Sequence, residues 1–459
     1  MSASMSIWTA ELRLLLRSGR NLLALILLLL LSSAAVWAGI AEIQNQRATI
    51  ERVAAEQARD LAAVEKANAG PEGEAGYNAY YAFMLTQDPP PPLSFAAIGQ
   101  RDLQPYVLRV RALGLQAQLY DSETYNPELA LPGVFDWAFV LIYLMPLVII
   151  ALGHDLVTGE RETGRLRLLL SLPGGGLWRR RVGLRYAAVL IALGLPLVVG
   201  GLLMAAPATG ITIMLLTAAL YAAFWFGLNM LIGGRLRTSS TAAAVMIGCW
   251  IVLTLILPTL ANAAIARGVP VAKGIDLTLA QREIVHSGWD IPKEQTFERF
   301  LAGHPEWRGK EEFEGRFHWK WYYAMHQVGD EAVAEDVAAY RASLAKREEM
   351  TRALGFVLPG VGTMNVLHRL ADTDIAGQLA YQDSIAAFHQ RLRQFYYPYL
   401  FNDRPFTRAD FSQIPRYALR DHAGTLEASA LLALAIIALL ALGIGMVQLN
   451  RVSGRSRNA

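Results

Sequence analysis

Cysteine and charge are both scarce in this sequence. Cys249 is the single cysteine among 459 residues, which excludes an intrachain disulfide and a zinc site built from a cysteine cluster. Charged residues make up 18% of the chain and hydrophobic residues 54%, whereas soluble proteins carry roughly a quarter charged residues. Several runs of about 20 residues have almost no charge, as membrane spans do. The composition therefore excludes a soluble enzyme, a disordered chain and a fibrous repeat.

Six of these apolar runs approach the length that crosses a membrane as a helix. About 20 helical residues span about 30 Å of hydrocarbon. The sequence therefore predicts a mainly α, polytopic membrane protein with six transmembrane helices. The predicted spans cover residues 22–41, 135–153, 186–204, 211–232, 241–261 and 428–449.

Arginine is distributed unevenly among the segments that connect the spans. Four short segments together hold 14 arginines, no lysine and four acids, whereas two long segments hold all six lysines. Because basic residues in short loops stay on the cytoplasmic side, we expect a bacterial inner-membrane protein with both termini in the cytoplasm. The short, cytoplasmic segments are residues 1–20, 154–183, 233–240 and 450–459, and the long, extracytoplasmic ones are 42–134 and 262–427.

A cleaved signal peptide is the alternative interpretation of the first span, because three arginines precede it. The apolar run is long for such a peptide, and apolar residues continue at helical spacing from Ile43 to Val64. We therefore expect one long helix that leaves the membrane and ends at Gly70-Pro71.

The two long segments are predicted to be mostly helical. In the first, the prolines at 89–92 predict an extended spacer, residues 103–120 fit either short strands or a helix, and turns are predicted at 126–127 and 132–133. In the second, the apolar stretch Gly355–Leu367 fits either contact with the outer leaflet or packing between helices. The helices predicted there are 277–286, 294–302, 310–327, 331–354 and 374–397.

The cytoplasmic segment His154–Pro173 has a distinctive order of residues. Charged residues come first, then a short leucine-rich amphipathic stretch, then a proline that stops it. A helix of this kind, lying parallel to the membrane, would press its leucines into a partner's groove while its charges fix the register. The alternative is a solvated loop whose arginines hold it in the cytoplasm, and the residues alone leave both interpretations open.

The same segment resembles the coupling-helix region of ABC-2 type transporter permeases, in which a D…ERE.G.L..LL..P pattern joins the second and third spans. Arg165 departs from that pattern, in which threonine is common. Residues 7–20 resemble the amphipathic connecting helix that precedes the first span. The stretches Asn126–Asp136, Ala371–Asp374 and Tyr396–Phe406 are similar to one branch, which has two large outer segments and a domain of unknown function. That branch is related to the permease of the nitrous-oxide reductase maturation system.

The resemblance implies a permease subunit of an ABC transporter. Two such six-span halves, identical or paralogous, would pair with a dimer of ATPase subunits. Closure of the ATPases on ATP would push on the coupling helices and switch the access of the spans, so that a hydrophobic or lipid-like substrate is exported or handled. The residues that the resemblance assigns to ATPase coupling are Glu160, Arg161, Glu162, Thr163, Gly164, Leu166, Leu169 and Leu170.

The chain has no GxxxxGK[ST] phosphate-binding loop, so ATP hydrolysis is expected on a separate subunit. The chain itself is expected to be non-catalytic, with no cofactor and no nucleic-acid partner, and to contact membrane lipids. The alternative function is a membrane-anchored binding or assembly protein whose outer domain acts without transport. A further alternative is an intramembrane or outer-face enzyme, and intramembrane catalysis is disfavoured because no span carries paired ionisable residues.

Several residues in and near the spans could have either a structural or a functional role. Asp136 is either a gate residue or a negative charge at a helix N-terminus, and Asn229 is more typical of a bond between helices than of a substrate ligand. His318 and His326 are separated by about 12 Å along a predicted helix, too far to share an ion, so no metal site is expected. Three prolines fit either kinks or hinges in the spans: Pro146, Pro196 and Pro258.

Overall fold

The computed structural model describes most of the chain. It covers residues 2–68, 70, 73–120, 134–171, 176–272, 274–421 and 424–455, and among these the side chains from residue 8 to residue 452. The turns predicted at 126–127 and 132–133 lie outside the described residues.

Six helices in the described part of the chain are long and apolar enough to cross a membrane, which confirms the predicted fold class. We number them first to sixth in chain order. The first is 50 residues long and continues to Asn68, as the helical spacing beyond the apolar run predicts. A separate helix, Ser2–Arg17, precedes it. The six helices are Gly19–Asn68, Trp137–Glu162, Leu177–Leu203, Ala208–Arg235, Ser239–Gly268 and Ala428–Val452.

The second and fourth membrane helices form the centre of the membrane core. In the second, 72% of the most apolar window is buried, against 17% in the fifth and 22% in the sixth. The fourth contacts the second, third and sixth. Gly227 allows the closest approach, because a Cβ atom there would lie 2.4 Å from the backbone carbon of Ala441. Small residues of this kind let membrane helices pack backbone to backbone.

The helical hydrogen-bond ladder widens just before two of the interrupting prolines. Val140–Leu144 and Val252–Ile256 are π-helical turns, and Pro146 and Pro258 are the second residues of the α-helical stretches that follow. Proline lacks the N–H that the ladder needs, and a wider turn is one way in which a helix absorbs that loss. The chain nevertheless remains helical through both sites.

The two long connecting segments fold together around a second hydrophobic core. We call this unit the outer domain, after the extracytoplasmic location that the sequence predicts for it. Met84–Gln87 pairs antiparallel with Val107–Val110. Residues 103–120 therefore include both a strand and a short helix, Gln116–Leu119. A further helix, Ala75–Tyr81, precedes the strands. The helices of the second segment are Gly274–Ser287, Lys293–Gly303, Trp319–Ala332, Ala334–Gly355, Pro359–Ala371, Ile375–Phe401 and Arg408–Phe411.

The predicted helix 310–327 is wrong in its first half, because the helix begins only at Trp319. Gly309 and Gly315 have φ angles of +81° and +88°, which glycine adopts readily but an α-helix cannot contain. His318 then caps the helix, with its Nδ1 atom accepting a hydrogen bond from the Lys320 backbone N–H at 3.2 Å.

The helix Pro359–Ala371 joins the outer domain to the membrane core. It packs against the fourth and sixth membrane helices and against Ala334–Gly355. Its apolar face is fully buried through Val366 and Leu367. Of the two interpretations of this apolar stretch, packing between helices is the one that the structure shows.

Candidate functional site

The end of the second membrane helix and the residues that follow it form two short helices with a glycine between them. The helices are Thr158–Glu162 and Leu166–Ser171. Gly164 has a φ of +69°, and nothing lies within 4 Å of the position that a Cβ atom would take. The sharp turn therefore depends on the backbone freedom of glycine rather than on close packing. Thr163 closes the first helix, since its hydroxyl donates to the Gly159 carbonyl at 2.8 Å. We call residues 158–171 the coupling segment, after the role that the sequence predicts for them.

Glu160 ties the coupling segment to the third membrane helix. Its carboxylate accepts a hydrogen bond from the Arg181 Nη1 atom at 2.9 Å and pairs with Arg165 at 3.2 Å. The same Arg181 guanidinium donates through Nε to Glu11 of the N-terminal helix at 3.1 Å. The side chains of Glu11, Glu160 and Arg181 are mostly buried. Their attraction is therefore less screened than that of a surface pair. One arginine thus holds three elements together.

Arg161 and Glu162 hold the short turn between the fourth and fifth membrane helices. Arg161 donates to the carbonyl of Leu236, which terminates the fourth helix. The Glu162 carboxylate accepts from the backbone N–H of Ser239 at 3.0 Å and from its hydroxyl at 2.7 Å. Ser239 is the first residue of the fifth helix, so a carboxylate lies where helix N–H groups lack internal partners.

The leucines of the coupling segment divide into an inner and an outer set. Leu166 and Leu170, four residues apart on one helical face, are each 8% exposed and belong to the membrane core. Leu169 is half-buried. Leu168 points outward and is 66% exposed. Three leucines were predicted from the sequence to contact a partner, but two of them pack inside the chain, and the outward leucine was not among them.

A groove borders the coupling segment. Its volume is about 870 Å³, and its walls come from the coupling segment, the turn after the fourth helix and the end of the sixth. Glu162 is its single acidic residue. Five arginines line it: Arg161, Arg167, Arg235, Arg237 and Arg451. The sequence did not predict that the end of the sixth helix forms a wall of this groove, because residues near 451 meet those near 161 only in the folded chain.

Asp136 caps the N-terminus of the second membrane helix. Its Oδ1 atom accepts from the Phe139 N–H at 2.8 Å, and its Oδ2 atom accepts from the Ile98 N–H at 2.9 Å. The side chain is 5% exposed. Its two oxygens therefore tie the outer domain to the start of a membrane helix, which favours the helix-terminus interpretation over a gate.

The other sequence candidates have partners within the chain. Asn229 donates through Nδ2 to the Ile149 carbonyl of the second membrane helix at 3.3 Å, the kind of bond between helices that its position predicts. The His326 Nδ1 atom accepts from the Gly114 N–H at 3.3 Å. Among the described residues, no group of three or more His, Cys, Asp or Glu side chains is placed to hold a metal ion.

A buried charge network, missed from the sequence, lies where the outer domain meets the membrane core. The Asp88 carboxylate pairs with Arg101 through Nη1 and with Arg420 through Nε, both at 2.7 Å. Arg420 also pairs with Asp372 at 2.8 Å. These residues are separated by up to 332 positions along the chain, so no local pattern could predict their contact. Asp372 belongs to the Ala371–Asp374 stretch, which thus joins both outer segments.

Comparison with known families agrees with this geometry. Residues 5–175, which include the first two membrane helices and the coupling segment, match the model of an ABC-2 family transporter protein. Residues 275–420, which form most of the second outer segment, match a domain of unknown function, DUF3526. No curated protein and no solved structure matches the chain.

The described part of the chain therefore has the six long apolar helices of a multi-pass membrane protein. One region of it is similar to ABC-2 family transporter proteins, and a second region is similar to the DUF3526 domain. Permeases of the ABC-2 family are typically non-catalytic membrane subunits that associate with an ABC ATPase subunit.

Proposed function

We propose that this chain is one permease half of an ATP-driven ABC transporter in the bacterial inner membrane, with both termini in the cytoplasm. Two halves, identical or paralogous, pair with a dimer of separate ATPase subunits that hydrolyse the ATP. The transporter moves a hydrophobic or lipid-like substrate, by export or a related handling step, through alternating access. A relation to the permease of the nitrous-oxide reductase maturation system is part of this proposal.

The observation that carries the proposal is that the charged residues of the coupling segment bind other parts of the chain, whereas one of its leucines is exposed. Glu160, Arg161 and Glu162 bind the third, fourth and fifth membrane helices. Leu168 is exposed, and the arginine-lined groove lies beside it along the coupling segment. A push on the outward leucine therefore reaches the ends of three membrane helices through short polar contacts. In this scheme the charges of Glu160, Arg161 and Glu162 hold the coupling segment to the membrane helices. Leu168 is its apolar contact with the ATPase.

The exposed apolar faces of the fifth and sixth membrane helices fit the second half or surrounding lipid. Both helices are buried over less than a quarter of their most apolar window. A bare apolar face is stable only against another apolar surface, which in a membrane is lipid or a second helix. This agrees with a permease that works as one half of a pair.

Site-directed cross-linking tests the proposal. In a Cys249→Ala background, Leu168→Cys provides a single reactive thiol on the coupling segment. Cross-linking in native membranes should attach an ATPase subunit, identified by mass spectrometry. Leu103→Cys, an exposed outer-domain position, is the matched control and should capture no ATPase. If no ATPase is captured at position 168, or equal amounts are captured at both positions, the permease proposal fails.

A membrane-anchored assembly protein remains the second candidate. The observation that favours it is the separate hydrophobic core of the outer domain, which includes more than 30 buried apolar residues from both long segments and lies against a two-stranded sheet from the first. A membrane-anchored assembly protein would need no ATPase bound to its coupling segment. The same cross-linking experiment therefore separates the two candidates, because such a protein should capture no ATPase at position 168.

A further inference from the structure

The outer domain contains a small cleft that plays no part in the transport mechanism described above. It has a volume of about 280 Å³ and lies between the residues around Gly114 and the helices Gly274–Ser287 and Trp319–Ala332. Binding sites for small ligands are concave, with a few convergent polar groups. Both outer segments contribute walls, so the cleft exists only when the outer domain is folded.

The floor of the cleft holds a buried amide without a partner. Gln281 is 0% exposed, and within the described structure neither its Nε2 nor its Oε1 atom has a hydrogen-bond partner. Two glycines make room for it: a Cβ atom would lie 2.2 Å from Gln281 Nε2 if placed on Gly114, and 3.2 Å from it if placed on Gly329. Buried polar groups are nearly always hydrogen-bonded, so this amide requires an explanation.

His326 presents a second unpartnered polar atom in the same cleft. Its Nδ1 atom accepts from the Gly114 N–H, so the neutral ring carries its proton on Nε2. That Nε2 atom is buried and has no partner among the described residues. Burial and the nearby charges of Arg393 and Arg111 lower the pKa of His326 to about 3. The ring is therefore a neutral hydrogen-bond donor at physiological pH.

The walls of the cleft are cationic and aromatic. The Arg111 guanidinium lies over the rings of Tyr80 and Phe83, at 4.5 and 4.9 Å from their centroids, which fixes its position. Arg282 lines the opening, and no acidic side chain lines the cleft. In the described structure neither arginine has a carboxylate within 4.0 Å. The Trp289 ring is half-exposed at the rim.

We propose that this cleft binds a small organic carboxylate that also carries a hydroxyl group and an apolar portion. The carboxylate oxygens would accept from Arg111, from His326 Nε2 and from the Gln281 amide nitrogen. The hydroxyl would donate to the Gln281 amide oxygen, and the apolar portion would contact Trp289. A hydroxyl fits better than an amine, because a ligand ammonium would be repelled by both arginines.

Calorimetric titration of the full chain in detergent tests this site, with mandelate as the probe. Mandelate carries all three groups, mandelamide lacks the charge, and phenylacetate lacks the hydroxyl. We expect mandelate to bind, and both analogues to bind at least tenfold more weakly. Absence of mandelate binding at millimolar concentration, or equal binding of mandelamide, would overturn the proposal. Tighter binding of phenyl phosphate than of mandelate would show a phosphate site and overturn the carboxylate assignment.

Two variants locate the binding. Gln281→Leu removes the unpartnered amide at similar volume, so the free protein should keep its melting temperature while its mandelate Kd rises at least tenfold. Arg111→Gln should raise the Kd by a similar factor. Arg299→Gln, which changes an exposed arginine on the neighbouring helix Lys293–Gly303, is the matched control and should leave the Kd unchanged. An unchanged Kd in both cleft variants would place any binding elsewhere and contradict the proposal.

Discussion

At the scale of single residues, the coupling segment depends on side chains whose roles follow from their partners rather than from their type. Glu160 and Glu162 are two residues apart and carry the same charge, yet one binds an arginine of the third helix and the other caps the fifth. Reversal of either charge would remove a specific intramolecular contact. Within the chain these residues hold the coupling segment to the membrane helices, and their contact with an ATPase stays a prediction.

Gly164 provides a stability test at this scale. Gly164→Ala should destabilise the protein by about 1 to 2 kcal/mol, because an L-residue in the left-handed region places its Cβ too close to the following carbonyl. The open space around the glycine excludes a packing clash as the cause. The measurement is unfolding of the purified protein in detergent.

Gly159→Ala is the matched control for that test. Gly159 lies in the short helix Thr158–Glu162, and a Cβ atom there would meet its nearest neighbour at an ordinary 3.5 Å. Alanine is the better helix former, so this change should be neutral or slightly stabilising. Equal destabilisation by both substitutions would contradict the role assigned to the φ angle of Gly164.

At the scale of elements, the fourth and sixth membrane helices approach each other backbone to backbone at Gly227. Gly227→Leu should force the two helices apart, at a cost at the upper end of the roughly 1 to 3 kcal/mol typical of overpacking, because backbone atoms of Ala441 cannot yield as a side chain would. The expected result is a lower melting temperature and less folded protein in the membrane.

Gly443→Leu on the sixth helix is the control for the helix pair. No atom lies within 4 Å of the position of its Cβ, so a larger side chain there has space. If Gly443→Leu lowers the melting temperature as much as Gly227→Leu does, general disturbance of the sixth helix, rather than the close contact, would be the cause.

The elements also show what the sequence could and could not predict. The six membrane helices and the long extension of the first follow from runs of apolar residues and their spacing, which are local properties. The outward position of Leu168 could not be predicted, because the orientation of a short helix is set by the turn at Gly164 and by the core that receives Leu166 and Leu170. The helix 310–327 was predicted too long because glycine with a positive φ cannot be told from other glycines in sequence.

At the scale of the whole molecule, the helix Pro359–Ala371 and the turn after it connect the outer domain to the membrane core. The helix Pro359–Ala371 packs on the fourth and sixth membrane helices. The turn that follows it contributes Asp372 to the buried network with Asp88 and Arg420. Removal of one partner from such a buried pair leaves an uncompensated charge, which is strongly destabilising. The junction therefore offers a rigid connection through which the outer domain and the spans can influence each other.

The central claim is that the coupling segment contacts an ATPase through Leu168, and ATPase stimulation tests it most directly. The copurified ATPase subunit would be reconstituted with the permease in nanodiscs, and its ATP hydrolysis measured with and without Leu168→Asp. Because buried apolar anchors carry much of the binding energy at an interface, this change should lower the stimulation at least tenfold while the melting temperature of the permease is unchanged. Leu419→Asp, at an exposed outer-domain leucine, should stimulate as the unmodified protein does. Full stimulation by the Leu168→Asp protein would contradict the account.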